Sequence, residues 1–162
     1  MNRDEPPAHA LRGHRVKALE PSQIQNAASQ LCRILNLKGS TFSKRNIGKL
    51  VAKLEEHGIN IDPIDSEDWH DLASAMADPQ DGTIYMPESL FQDLFKAKSE
   101  AVRIFLHELG HILLMHRPLM RFSETAVTQQ EDSEWQADYF ADWIIASLGL
   151  SKHTDSQLEL KI

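Results

Sequence analysis

His107-Glu108-Leu109-Gly110-His111 sets two imidazoles four residues apart, with a carboxylate directly after the first. In a helix, residues four apart lie about 40° from each other around the axis, so both rings can reach one metal ion. Glu108 lies about 100° from His107 and borders the same point, near enough to act on a water held there. Two imidazoles and a carboxylate with one position left to water are a donor set that suits zinc, so the expected cofactor is Zn. The helical setting supports this reading. Val102, Ile104, Phe105, Leu106, Leu109, Ile112 and Leu113 surround the motif, and two polar rings in such an apolar run need partners.

A third protein ligand is required. The extension H-E-x-x-H-x-x-G-x-x-H is excluded, because Leu114 and Arg117 occupy its last two fixed positions. The remaining option is a carboxylate on a later helix, and Glu134 is the best candidate. It shares one helical face with Ala137, Asp138, Ala141, Ile145 and Leu148, and the two alanines permit close approach to the first helix. Asp138, one turn further on, is placed to accept a hydrogen bond from the outer nitrogen of a ligand histidine. Glu131 and Glu124 are weaker candidates on less constrained backbone.

HELGHILLMH followed by EWQADYFADWII resembles the ImmA/IrrE family of metallo-endopeptidases, zinc peptidases of the gluzincin type. The family pattern pairs a HELGH helix with a helix of the form E-x-E-A-[N/D]-x-F-A. Glu134, Ala137, Asp138, Phe140 and Ala141 match it, and Gln136 stands where the pattern has a second Glu. The resemblance spans roughly residues 22–148, with its specificity in those two helices. It implies a protein substrate, often a helix-turn-helix transcriptional repressor or antitoxin. The implied reaction is peptide hydrolysis by Glu-assisted attack of zinc-bound water, with Glu108 as the base. Tyr139, Tyr85 and His116 are candidate donors to the oxyanion. The competing expectation is a zinc-stabilised binding protein that sequesters a regulator without cutting it.

The elements that must position these groups form an α+β domain. Its expected parts are N-terminal helices, a small mainly antiparallel sheet, and the HExxH helix packed on a C-terminal helix that carries the third ligand. Residues 1–20 have no period and read as a flexible arm. Pro21 opens a first helix with a Ser22/Gln25 capping box, ended by Gly39-Ser40. Ser43 caps a second helix that ends at Gly58. Lys44, Arg45, Lys49 and Lys53 on it read as a solvated face. Ile59–Asp62 alternates like a strand stopped by Pro63. Leu72–Ala77 and Thr83–Met86 read as strands joined by a turn at Asp78–Gly82, the second an edge that could align an extended substrate. Ser99–Met115 and Ser133–Leu148 are the two site helices. The zinc domain is thus expected over 21–150 and a polar tail over 151–162. Neither arm nor tail holds a ligand in a periodic segment, so both are expected to be dispensable for the metal.

Composition bounds the function classes. The chain has 162 residues and a net charge of −7, which argues against a protein that works by neutralising nucleic-acid phosphates. Cys32 is its single cysteine, so an intrachain disulfide and a Cys-based zinc finger are excluded. The first residues, MNRDEPPAHALRGHR, contain no apolar core of a secretory signal, and no apolar run approaches membrane-spanning length. The expected location is the cytoplasm, with no membrane partner.

Overall fold

The computed structural model describes residues 9–70, 73–119 and 126–150. Residues 1–8 of the expected arm, the expected tail over 151–162, Leu72 and Glu124 lie outside the described residues. The fold is mixed α+β. Its helices are α1 (Pro21–Ile34), α2 (Ile47–Glu56), α3 (Glu88–Phe95), α4 (Ser99–Leu113) and α5 (Ser133–Ser147), and its strands are β1 (Asn60–Ile64), β2 (Met76–Asp78) and β3 (Thr83–Pro87). Among the described residues no helix is long and apolar enough to cross a membrane.

Each helix buries one stripe. Ile24, Ala28 and Leu31 of α1, Ile47, Leu50 and Leu54 of α2, and Leu94 of α3 meet Phe105, Leu106 and Leu109 of α4 in one core. Each large side chain buried there contributes about 1.5–3 kcal/mol relative to exposure. Helix α5 is buried more widely, with Ala137, Phe140, Ala141 and Ile144 all fully covered, because it packs against both α1 and α4. Gly110 makes the α4–α5 contact close: a Cβ there would lie 3.0 Å from the Phe140 ring.

The helix starts differ from the expected ones for local reasons. The N-cap of α1 is Glu20, whose N–H donates to Gln23 Oε1 at 2.8 Å, so the capping pair begins two residues before Ser22. Asn36, with φ of 51°, ends α1 ahead of Gly39. Ser43 donates its hydroxyl to Ser40 O at 2.8 Å and closes the short 3-10 turn Gly39–Phe42, and Asn46 takes the N-cap position of α2 without a capping hydrogen bond from its side chain.

The sheet is mixed rather than mainly antiparallel, in the order β1-β3-β2. β1 pairs with β3 in parallel over five positions, from Asn60↔Thr83 to Ile64↔Pro87. β2 pairs with β3 antiparallel over Met76↔Tyr85 to Asp78↔Thr83. Pro63 lies inside β1 rather than ending it, which an edge strand tolerates. β2 begins at Met76, later than expected, and ahead of it the Trp69 indole N–H donates to Ala73 O at 2.9 Å. The expected turn is present, with Gly82 N donating to Asp78 O at 2.9 Å. β3 is the central strand, not an edge. The edge beside α4 is β2.

Residues 9–20 depart from the expectation of a flexible arm. Val16 N donates to Glu131 O at 2.8 Å, Leu19 N to Gln130 O at 3.3 Å, and the backbones of Arg15 and Asp132 form an isolated antiparallel β-bridge. This strap runs along the residues that lead into α5, and its Val16 side chain is buried.

Candidate metal centre

Consecutive turns of α4 present His107 and His111 to the first turn of α5, which carries Glu134. The start of α5 is fixed by Asp132, whose carboxylate accepts from Glu134 N at 3.0 Å. His107 Nε2 lies 2.8 Å from Glu134 Oε2, His111 Nε2 lies 3.3 Å from Glu134 Oε1, and the two Nε2 atoms are 3.2 Å apart. One donor atom from each of the three residues falls within 4.8 Å of the others, the convergence a single small cation requires. The donor set, two neutral imidazoles and a carboxylate, fits zinc.

The outer nitrogen of each ring is also engaged. His107 Nδ1 lies 2.8 Å from Asp138 Oδ1. Asp138 in turn accepts from Arg12 Nη1 at 2.9 Å. His111 Nδ1 lies 2.7 Å from His116 Nδ1, and His116 Nε2 lies 2.7 Å from the side-chain oxygen of Gln136. Such partners hold a ligand ring in place and fix its tautomer.

The electrostatics follow from this packing. Burial works against a charge on His107, but hydrogen bonds to Asp138 and Glu134 outweigh it and push its pKa up to about 9. The bonds from His107 and His111 hold the Glu134 carboxyl far below the usual range. For Asp138, burial raises the pKa, but His107 and Arg12 more than offset it and leave the group low. His116 is pushed down to about 4, chiefly by burial. Glu108 is only 8% exposed, and burial raises its pKa against the opposing pull of His111 and His107. The Ala77 backbone N–H of β2 donates to its carboxylate.

These groups line a cleft of about 550 Å³. One wall is Ala75, Met76 and Ala77 at the β2 edge, and His14 and Pro118 stand on another side. The structure brings together His107, Glu108, His111, Glu134 and Asp138. It does not bring in Glu131, which accepts from Arg15 Nε at 2.6 Å and from Thr128. Of the expected oxyanion donors, Tyr139 accepts from Gln25 at 2.8 Å and, like Tyr85, is not among the cleft-lining residues. His116 lines the cleft, but both its ring nitrogens are occupied.

Sequence reasoning missed two contributors. Gln136 is fully buried although polar. Its signal was available: it shares an i, i+4, i+8 stripe with Phe140 and Ile144, and an amide in an apolar stripe needs partners. The strap gave no periodic signal. Gly13 packs on the site so closely that a Cβ would lie 2.5 Å from Ser133 Oγ and 2.7 Å from Glu134 Cγ. Comparison with protein-family models, with curated proteins and with solved structures finds no match to this chain.

Proposed function

We propose that the chain is a zinc-dependent endopeptidase resembling the ImmA/IrrE type, acting on a protein substrate. The observation that carries this reading is the convergence of His107, His111 and Glu134 on one point, with the buried Glu108 carboxylate beside them in an open cleft. A purely structural zinc site needs neither a neighbouring base nor a cleft.

His107, His111 and Glu134 would hold the metal, which when bound supplies Lewis-acid polarisation of a carbonyl and acidification of water. Glu108 takes a proton from the attacking water and returns it to the leaving amine. Its raised pKa suits a group that must both accept and give back that proton. The Ala77 N–H holds this carboxylate at the cleft wall. β2, the edge strand at that wall, offers backbone groups to an extended peptide. This moves the substrate-aligning role from Thr83–Met86 to Met76–Asp78. The resemblance favours a helix-turn-helix repressor or antitoxin as the substrate, acted on in the cytoplasm without direct nucleic-acid contact.

The test begins with the gene adjacent to this chain's own; if it encodes a small helix-turn-helix protein, that protein is the substrate for a time course of cleavage by native and Glu108→Gln protein, with zinc measured on each. The Gln form should retain zinc and partner binding while cleavage falls about 10²–10⁴-fold. Equal cleavage by both forms would remove Glu108 from the mechanism. Binding without cleavage by zinc-loaded native protein would favour sequestration.

A further inference from the structure

The orientation of His111 can be traced atom by atom from a buried amide. Both hydrogens of the Gln136 side-chain NH2 are used, one on Lys17 O at 2.9 Å and one on Gln130 O at 2.6 Å. A flipped amide would set its oxygen against two carbonyl oxygens, so the chemistry fixes which end faces which way. Oε1 therefore faces His116 Nε2 at 2.7 Å, and it can only accept. His116 must then carry its proton on Nε2. The neutral ring with its proton there presents a lone pair at Nδ1, toward His111. That lone pair meets His111 Nδ1 at 2.7 Å. Two nitrogens at this distance share one proton, so His111 donates from Nδ1. With Nδ1 so engaged, Nε2 is the nitrogen that faces Glu134 Oε1 and His107 Nε2, and it offers its lone pair once a metal takes the place of the proton shared with Glu134.

We infer that Gln136 and His116 are positioning residues that set the metal-binding tautomer of His111, referenced to the backbone carbonyls of Lys17 and Gln130. This rests on the reading of His107, His111 and Glu134 as metal ligands. The two ligand rings are thereby oriented by different chemistry. His107 is backed by a carboxylate, Asp138, that can only accept. His111 is backed by an imidazole that could equally donate or accept, and Gln136 removes that ambiguity.

The experiment pairs two readouts on the full chain. Ring ¹⁵N shifts of the zinc-loaded native protein report which His111 nitrogen carries the proton, and competition with a chromophoric chelator reports zinc affinity. The native spectrum should show His111 protonated at Nδ1. His116→Phe should weaken zinc about 10–100-fold, the usual scale for losing a group that orients a ligand. His116→Asn places an oxygen where Nδ1 stood and should recover most of that loss, which a merely space-filling role would not. A His111 ring protonated at Nε2 in the native protein overturns the inference even if His116→Phe does not fold. Unchanged zinc affinity in both variants overturns the relay alone. A native chain with no zinc affinity overturns the metal reading itself, whereas zinc bound by a His111 that carries its proton on Nε2 overturns the relay alone.

Discussion

Helices α4 and α5 carry His107, Glu108, His111 and Glu134 on adjacent turns, so the place of each side chain follows from the 3.6-residue period. Residues 9–19 have no period and contribute no proposed ligand, yet all three proposed ligands are braced against them. Arg12 reaches Asp138 behind His107, Gly13 lies on Glu134, and Lys17 O anchors the Gln136 amide behind His111. Asp132 joins the two regions. It is fully buried and accepts from His9 Nε2, Arg12 N, Gly13 N and Glu134 N, at 2.7 to 3.2 Å. The helices thus choose the donor set, while the strap holds the set still. A site can be complete in its ligands and still depend on a segment distant in sequence for its rigidity.

Removing residues 1–20 is the strongest way to break this division. The sequence alone predicts that residues 21–150 suffice for zinc. The structure predicts the opposite: the chain lacking the strap should bind zinc about 100-fold more weakly, because both ligand-orienting contacts lose support. Undiminished affinity in a chelator competition would confine the site to the helices. Asp132→Ala comes next. It removes the α5 cap and orphans buried donors, and a loss of about 3 kcal/mol is expected in denaturant unfolding. Arg12→Ala should do much less. Its pair with Asp138 is half exposed, so stability should change by under about 1 kcal/mol in the same measurement.

The two regions share a response to acid and differ above pH 9. The Asp132 carboxyl is lowered in the fold: burial would raise it, but the hydrogen bonds from Arg12, His9, Glu134 and Gly13 prevail. A lowered carboxyl contributes stability above its unfolded pKa, and that contribution is lost as pH falls through the folded value. His107 in the metal-free protein is raised from 6.5 to about 9, so its contribution is complete below 6.5 and is lost as pH rises through about 9. Glu134 and Asp138 are lowered in the same way, so amide exchange of the metal-free protein should show both regions loosening in strong acid and only the α4–α5 pairing weakening above pH 9. Loosening of the strap together with α4–α5 above pH 9 would merge them into one unit.

What the sequence made legible matches this division. The helical period located α4 and α5 and placed His107, His111, Glu134 and Asp138 on facing sides, because a ligand's position within a helix is local information. The hairpin at Asp78–Gly82 was equally local. The strap was not legible. Its pairing with residues 130–132 spans more than a hundred residues of chain, and backbone hydrogen bonds leave no mark in side-chain period. The sheet order was lost for the same reason, since β1 pairs with β3 across the intervening β2.

The central claim is that His107, His111 and Glu134 form one zinc site. Its most direct test is equilibrium zinc titration of the metal-free full chain, with stoichiometry and affinity read for the native protein and for His111→Ala and Glu134→Ala. The account predicts one tightly held zinc per native chain and a marked loss in each variant while the helices stay folded. Full retention of zinc in Glu134→Ala, or no stoichiometric zinc in the native chain, would contradict it.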